Sequence, residues 1–269
     1  MEENIIDFNS FQKIAKGVLK DIKDFCETNG YRYYLAYGTL LGAVRHNDII
    51  PWDYDIDILM PRPDFERFIR ETSENPINDH LHTFSYINER NYYLCFAKVC
   101  DTRTKLKITK SRSKIPLGIW VDIFPLDAIP DDPQDQLILR NTCKRLQEKA
   151  ILPVTLFKTQ KEKIVNYFNS LPIVLKGQAT YIAEMSKIAS ERDYESAKII
   201  GSLSMFGEPE KFYVEKEAYD DYVMIPFGDT EYRCPKKYDD LLKKHYGNYL
   251  ELPPEKDRKI PNIISYYIK

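Results

Sequence analysis

The segment Tyr37–Met60, YGTLLGAVRHNDIIPWDYDIDILM, decides how this chain reads. Its tail alternates Asp53, Asp55 and Asp57 with Tyr54, Ile56 and Ile58, in a run that ends on Leu59 and Met60 before Pro61 and Pro63. A strand places residues i, i+2 and i+4 on one face. The pattern therefore predicts a strand with three carboxylates on one side and apolar groups on the other. Carboxylates so close repel one another and are costly to bury without a cation. A hard oxygen donor set suits Mg²⁺, with Mn²⁺ the alternative. Asp-x-Asp alone equally fits a solvated strand end.

Just upstream, YRYYLAYG (31–38) reads as a strand and TLLGAVRH (39–46) as a short helix with Thr39 as N-cap. A strand-to-helix turn carrying Gly38-Thr39 offers backbone N–H groups to a phosphate. The plain alternative is a capped turn. Arg45 and His46 end that helix. Arg45 suits bidentate contact with phosphate or a favourable place on the helix dipole. Farther on, GIWVDIFPLDAI (118–129) reads as a strand that places Asp122 among apolar residues, with Asp127 as the second candidate. Lys98, in FAKVCD, needs an anion if it points inward, and otherwise snorkels. Arg103 poses the same question less sharply.

The rest is a background for these motifs. The 269 residues carry 39 basic and 41 acidic side chains, for a net charge of −2. Nothing in that balance suggests a general nucleic-acid binder, and it leaves room for local patches. Five cysteines without a C-x-x-C pair or Cys/His cluster indicate free thiols and no zinc site. The N-terminal MEENIIDFNS lacks an apolar signal core, and no apolar run approaches the length of a membrane span. Both point to the cytoplasm. Residues 8–28 show a helical apolar stripe, capped by Asn9 or Ser10 and stopped at Asn29-Gly30. Two or three strands are expected over 82–108, helices from 133 to about 220, a hairpin at Gly228-Asp229 and a short helix before Gly247. Lys236, Lys237, Lys243 and Lys244 form a basic patch, either a solvated helix face or a contact for an anionic acceptor or membrane.

Gly-Thr after a strand, followed by an apolar-Asp-apolar-Asp-apolar strand, resembles the nucleotidyltransferase fold. The closer resemblance is to the LicD family. It rests on YGTLLGAVRHNDIIPWDYDIDILMPRPDF, FAKVCDTRT, VDIFPLD and CPKKYDDLLKKHYGNYLELPPEKDR, which run from residue 37 to 258. Tyr54 departs from that family's W-D-D-D-I-D, and alternation points it away from the carboxylate face.

The resemblance implies an α+β fold, with a nucleotidyltransferase-like mixed sheet core and a largely helical second half. Residues 1–130 would form the catalytic core, and 131–269 a helical region and C-terminal segment completing the same domain. It implies a phosphotransferase moving phosphocholine, or a related alcohol phosphate such as ribitol phosphate, from a CDP-alcohol to a sugar hydroxyl. The acceptor would be a bacterial glycan precursor of teichoic acid, lipopolysaccharide or capsule, possibly lipid-linked at the inner membrane face. The implied metal ligands are Asp53, Asp55, Asp57 and Asp122, with Asp122 either completing the shell or serving as base. Gly38, Thr39, Arg45, His46 and Lys98 would bind substrate. A nucleotidyltransferase adding NMP from an NTP uses the same aspartates and is the alternative.

Overall fold

A computed structural model describes residues 5–107, 111–204, 209–260 and 264–268. The chain begins with helix α1 (Phe8–Asn29), strand β1 (Tyr34–Leu35), helix α2 (Tyr37–His46), strand β2 (Asp57–Pro61) and helix α3 (Arg62–Glu74). Strands β3 (Leu81–Phe84), β4 (Ala97–Asp101), β5 (Thr104–Leu106) and β6 (Ile119–Ile129) follow. Helices α4 (Pro133–Ile151), α5 (Gln160–Lys176) and α6 (Gln178–Ala189) come next, then short strands β7 (Ile199–Gly201) and β8 (Val214–Glu215). The hairpin β9 (Tyr222–Phe227) and β10 (Thr230–Pro235), helix α7 (Tyr238–Tyr246) and strand β11 (Ser265–Tyr267) close the chain. The fold is α+β.

The central sheet runs β1-β2-β6-β4-β3, and β7 with β8 joins the far end of β6. β2 and β6 are parallel, whereas β4 is antiparallel to β6 and β1 antiparallel to β2. β6 is buried along all eleven residues. Such a strand carries helices or loops on both faces, which explains its nearly continuous apolar sequence. The carboxylates within it stand out for the same reason.

α1 buries Phe11, Ala15, Val18, Leu19, Ile22 and Cys26, the expected stripe. Its cap is Asp7 rather than Asn9 or Ser10, because the Asp7 carboxylate accepts from the Ser10 N–H and hydroxyl. Gly30 ends the helix in the left-handed conformation at φ 70°, as Asn29-Gly30 predicts. The β9–β10 hairpin turns at Gly228, also at positive φ. Tyr31, Tyr33 and Tyr34 are core residues. All five cysteines are buried free thiols.

The carboxylate stretch departs from expectation. Only Asp57 lies in β2; Asp53 and Asp55 lie in the irregular segment before it. A turn closes there, with the Asp53 N–H donating to the Ile50 carbonyl, 2.8 Å. The Asp53 carboxylate then accepts from the Tyr54 N–H, 3.0 Å. Such local bonds compete with a strand ladder. The ladder with β6 starts only at Asp57.

Candidate active site

The site is built where β2 and β6 lie side by side. In their parallel register Asp57 stands opposite Asp122, and in the antiparallel register of β4 with β6 Asp122 stands opposite Lys98. Three neighbouring strands thus set Asp57, Asp122 and Lys98 in one row across the sheet. Two further bonds fix the row's height. The Asp122 N–H donates to the Ile56 carbonyl at 2.8 Å, and the Ala36 N–H to the Asp57 carbonyl at 3.0 Å.

Lys98 and Asp122 are both buried and form an ion pair. The inward lysine therefore has an anion, and it is Asp122. The other Asp122 oxygen accepts from the Trp120 indole N–H, 2.9 Å. The Lys98 ammonium lies 4.4 Å from the Trp120 ring centroid, a cation–π contact. Trp120 stands two residues before Asp122 on one strand, so its side chain shares that face. The spacing was visible in the sequence; the indole's role as a donor to Asp122 was not. Tyr54 packs edge-on against Trp120, ring centroids 5.9 Å apart. It therefore borders the site and does not point away from it, since the irregular segment breaks the alternation.

The electrostatics are unbalanced. Asp53, Asp55 and Asp57 are half-buried beside Asp122. Burial, and then a hydrogen bond and repulsion from Asp53, push the Asp55 carboxyl up to about 7. Burial, with Asp122 and Asp55 close by, pushes Asp57 well above the ordinary carboxylate range. Burial also raises Asp122, against the opposing pull of Lys98. Poor solvation and like charge both favour the neutral acid. A divalent cation would reverse that preference.

Gly38 and Thr39 fall in the first turn of α2, whose N-cap is Ala36, not Thr39. The Thr39 hydroxyl instead accepts the Asp57 N–H, 2.8 Å, and so holds the backbone at the start of β2. A Cβ on Gly38 would come within 3.0 Å of an Asp53 carboxylate oxygen. Glycine is therefore what lets that carboxylate lie against the helix start. The turn itself is strained, because Tyr37 adopts φ 46°, a region ordinary residues avoid. Its ring is held edge-on by Phe124 and Phe212, centroids 5.4 and 5.6 Å away. The Gln12 amide donates to the Asp53 carbonyl, 2.7 Å, and ties α1 to the same loop.

Arg45 is occupied. Its guanidinium donates to the Tyr249 and Glu251 carbonyls, 2.9 and 3.3 Å, clamping the segment after α7. His46 packs edge-on against Trp52, centroids 5.9 Å apart, and burial with the Arg45 charge lowers its pKa. The Arg258 guanidinium covers the Trp52 ring, 5.5 Å from its centroid. Tyr246 lies close enough to Asp57, Asp53 and Asp55 that their charges add to burial in raising its phenol. Arg258 and Tyr246 were missed as site residues. Both lie in the end segment that carries the family resemblance, but nothing in its spacing marks them.

The remaining candidates are engaged elsewhere. Asp127 is fully buried on Arg62, 2.6 Å, and accepts the Leu203 N–H, 3.1 Å. Arg103 pairs with Asp101. Lys236, Lys237 and Lys243 pair with Asp221, Glu217 and Asp239. Lys244 donates to the Tyr213 carbonyl. The basic patch is thus largely neutralised. Among the described residues, no three carboxylate, imidazole or thiol groups close around one point. The donors present fit a hard cation held by one or two carboxylates and completed by phosphate and water, the usual arrangement for Mg²⁺.

A mixed α+β sheet with charged residues aligned across its central strands is the frame on which the comparisons fall, and they define a phosphotransferase. The LicD/FKTN/FKRP nucleotidyltransferase-domain family matches residues 30–164. The chain belongs to the LicD family. It is 29% identical over 264 residues to the lipopolysaccharide cholinephosphotransferase LicD of Haemophilus influenzae, an alignment covering 96% of each protein. A stretch of 32 residues is 66% identical to the human ribitol 5-phosphate transferase FKRP, covering 12% of this chain and 6% of that protein.

Proposed function

We propose that this protein is a Mg²⁺-dependent transferase that moves phosphocholine, or a related alcohol phosphate, from a CDP-alcohol to a hydroxyl of a bacterial cell-surface glycan precursor. The observation that carries this reading is the surplus of poorly solvated negative charge at Asp53, Asp55, Asp57 and Asp122, facing Lys98 alone within the row. Full-length likeness to a lipopolysaccharide cholinephosphotransferase supports phosphocholine as cargo and lipopolysaccharide as acceptor. The ribitol 5-phosphate transferase likeness keeps other alcohol phosphates in view. Teichoic acid and capsule precursors offer the same hydroxyl chemistry. Action at the cytoplasmic face, before export, suits a soluble donor.

In the reaction, the acceptor oxygen bonds to the alcohol-bearing phosphorus as the bond from that phosphorus to the bridging oxygen breaks. CMP leaves with the bridging oxygen. Asp55 and Asp57, with Asp53 alongside, would hold the metal. When bound, Mg²⁺ supplies charge neutralisation at the pyrophosphate and acidifies a hydroxyl. Asp122 would complete that shell or accept the hydroxyl proton, for which its raised pKa suits it. Lys98 orients Asp122 and is the nearest cation for a phosphate oxygen. Gly38 and Thr39 offer the α2 N-terminus to phosphate. Arg45 serves by positioning the C-terminal segment at the edge of the site, and His46 packs on Trp52 beside it.

The test is thermal stabilisation with Mg²⁺ and CDP-choline, CDP-ribitol, CDP-glycerol or ATP, followed by CMP release with a glycan acceptor. Stabilisation and CMP release by a CDP-alcohol are expected. Stabilisation by ATP and by none of the CDP-alcohols would reject the reading in favour of nucleotidyl transfer.

A further inference from the structure

α5 is built inside out. At about 100° per residue, Ile164, Tyr167, Phe168, Leu171, Val174 and Leu175 share an arc of roughly 120°. All six face solvent, with exposures of 44–69%. The opposite side carries Asn166 and Ser170, half-buried, and one buried apolar residue, Ile173. An ordinary surface helix turns its apolar stripe to the core. This one turns its polar side inward. A capping box between Thr159 and Glu162 fixes its start, so the helix is well formed.

The charges around that face identify its occupant. Lys161 and Lys163 stand at the two edges of the apolar arc, Lys158 precedes the helix and Lys176 closes its far end. Among the described residues, Lys158, Lys161 and Lys163 have no carboxylate partner, unlike Lys236, Lys237 and Lys243 on the opposite end of the chain. An aromatic and aliphatic stripe rimmed by free lysines is complementary to an anionic lipid surface. Among the described residues no helix is long and apolar enough to cross a membrane, so the face lies on a bilayer rather than through it. A second copy fits poorly. Lysines at both ends of α5 would meet like charge in either a parallel or an antiparallel pairing across a two-fold axis.

We propose that α5 is a membrane-surface helix that seats this protein on an anionic bilayer. Its purpose rests on the reading above, since a lipid-anchored glycan precursor would be presented at that surface. Vesicle binding is read without turnover, so failure of this inference and failure of the transferase reading are distinguishable.

The experiment is co-sedimentation of the full chain with phosphatidylglycerol/phosphatidylethanolamine vesicles and with pure phosphatidylcholine vesicles. Wild type is expected to partition to the anionic vesicles at least about tenfold better, with the advantage weakening as salt rises. The double variant Phe168→Ser/Leu175→Ser should lose about tenfold or more of that binding, and Lys161→Glu/Lys163→Glu should do the same, with unchanged circular dichroism. Lys161 is exposed and Lys163 half-buried, and neither lies in the core, so the pair reads the face even if the apolar variant folds poorly. The proposal is overturned if wild type does not sediment with anionic vesicles, if both variants bind like wild type, or if light scattering finds a dimer that the variants dissociate.

Discussion

Asp122 and Asp127 lie five residues apart on β6, both buried, yet their surroundings differ in kind. Asp127 shares its carboxylate between Arg62 and the Leu203 N–H. Arg62 also reaches Glu66, which in turn accepts from Tyr86 and Ser186. Every charge in that cluster has a partner. Asp122 has Lys98 and the Trp120 indole, but Asp57, Asp55 and Asp53 crowd beside it without cations of their own. One cluster is fully hydrogen-bonded and holds α3 against β6. The other gathers four carboxylates around one lysine. A buried network in which every charged group is paired, and one in which most are not, separate structure from chemistry on the same strand.

Neutralising one member on each side tests that contrast most strongly. Asp57→Asn should lower turnover by about 10³-fold or more, the cost of several kcal/mol of metal-borne stabilisation. Its melting temperature should equal or exceed that of wild type, because a repelled carboxylate is gone. Asp127→Asn should do the reverse. Removing one partner of a buried ion pair costs about 3–5 kcal/mol, visible in urea unfolding, while the folded fraction stays active. If both variants lost stability equally, the distinction would collapse.

The pH dependence sharpens it further. Asp55 titrates at about 7 in the fold against 3.8 ordinarily. Between those values the folded state holds a proton that the unfolded state has released. That contribution is fully present below about 4 and is lost as pH rises through 7. Metal-free protein should therefore lose stability from pH 4 to 7, and Asp55→Asn should flatten the slope. Mg²⁺ or Mn²⁺ should restore stability near pH 7 and release protons on binding. Calorimetry in buffers of different ionisation enthalpy reads that release.

Smaller effects lie at the margins. Gly38→Ala would press a methyl group against Asp53 at 3.0 Å and should reduce kcat/KM by roughly tenfold, with little change in stability. Lys236→Ala removes an exposed pair with Asp221 and should change unfolding free energy by no more than about 0.5 kcal/mol.

Much of this was legible where periodicity or turn chemistry governs alone. The α1 stripe, the β6 strand and the Gly228 hairpin all follow from local pattern. Asp122 and Asp127 were also separable in principle, since an odd spacing places them on opposite faces of a strand. What the pattern concealed was competition and distance. Asp53 spends its carboxylate on the next backbone N–H, so the strand begins four residues later than alternation implies. Thr39 leaves the helix uncapped to hold Asp57. Arg45 finds its carbonyl partners more than 200 residues away. The register that sets Lys98 opposite Asp122 depends on three strands whose pairing no local window contains.

The carboxylate row should bind a divalent cation together with the donor. Mn²⁺ binding, read by electron paramagnetic resonance in the presence of CDP-choline, measures this directly. Wild type should bind Mn²⁺, and Asp57→Asn should bind it more than about tenfold more weakly. Wild-type Mn²⁺ affinity in Asp57→Asn would rule out Asp57 as a metal ligand.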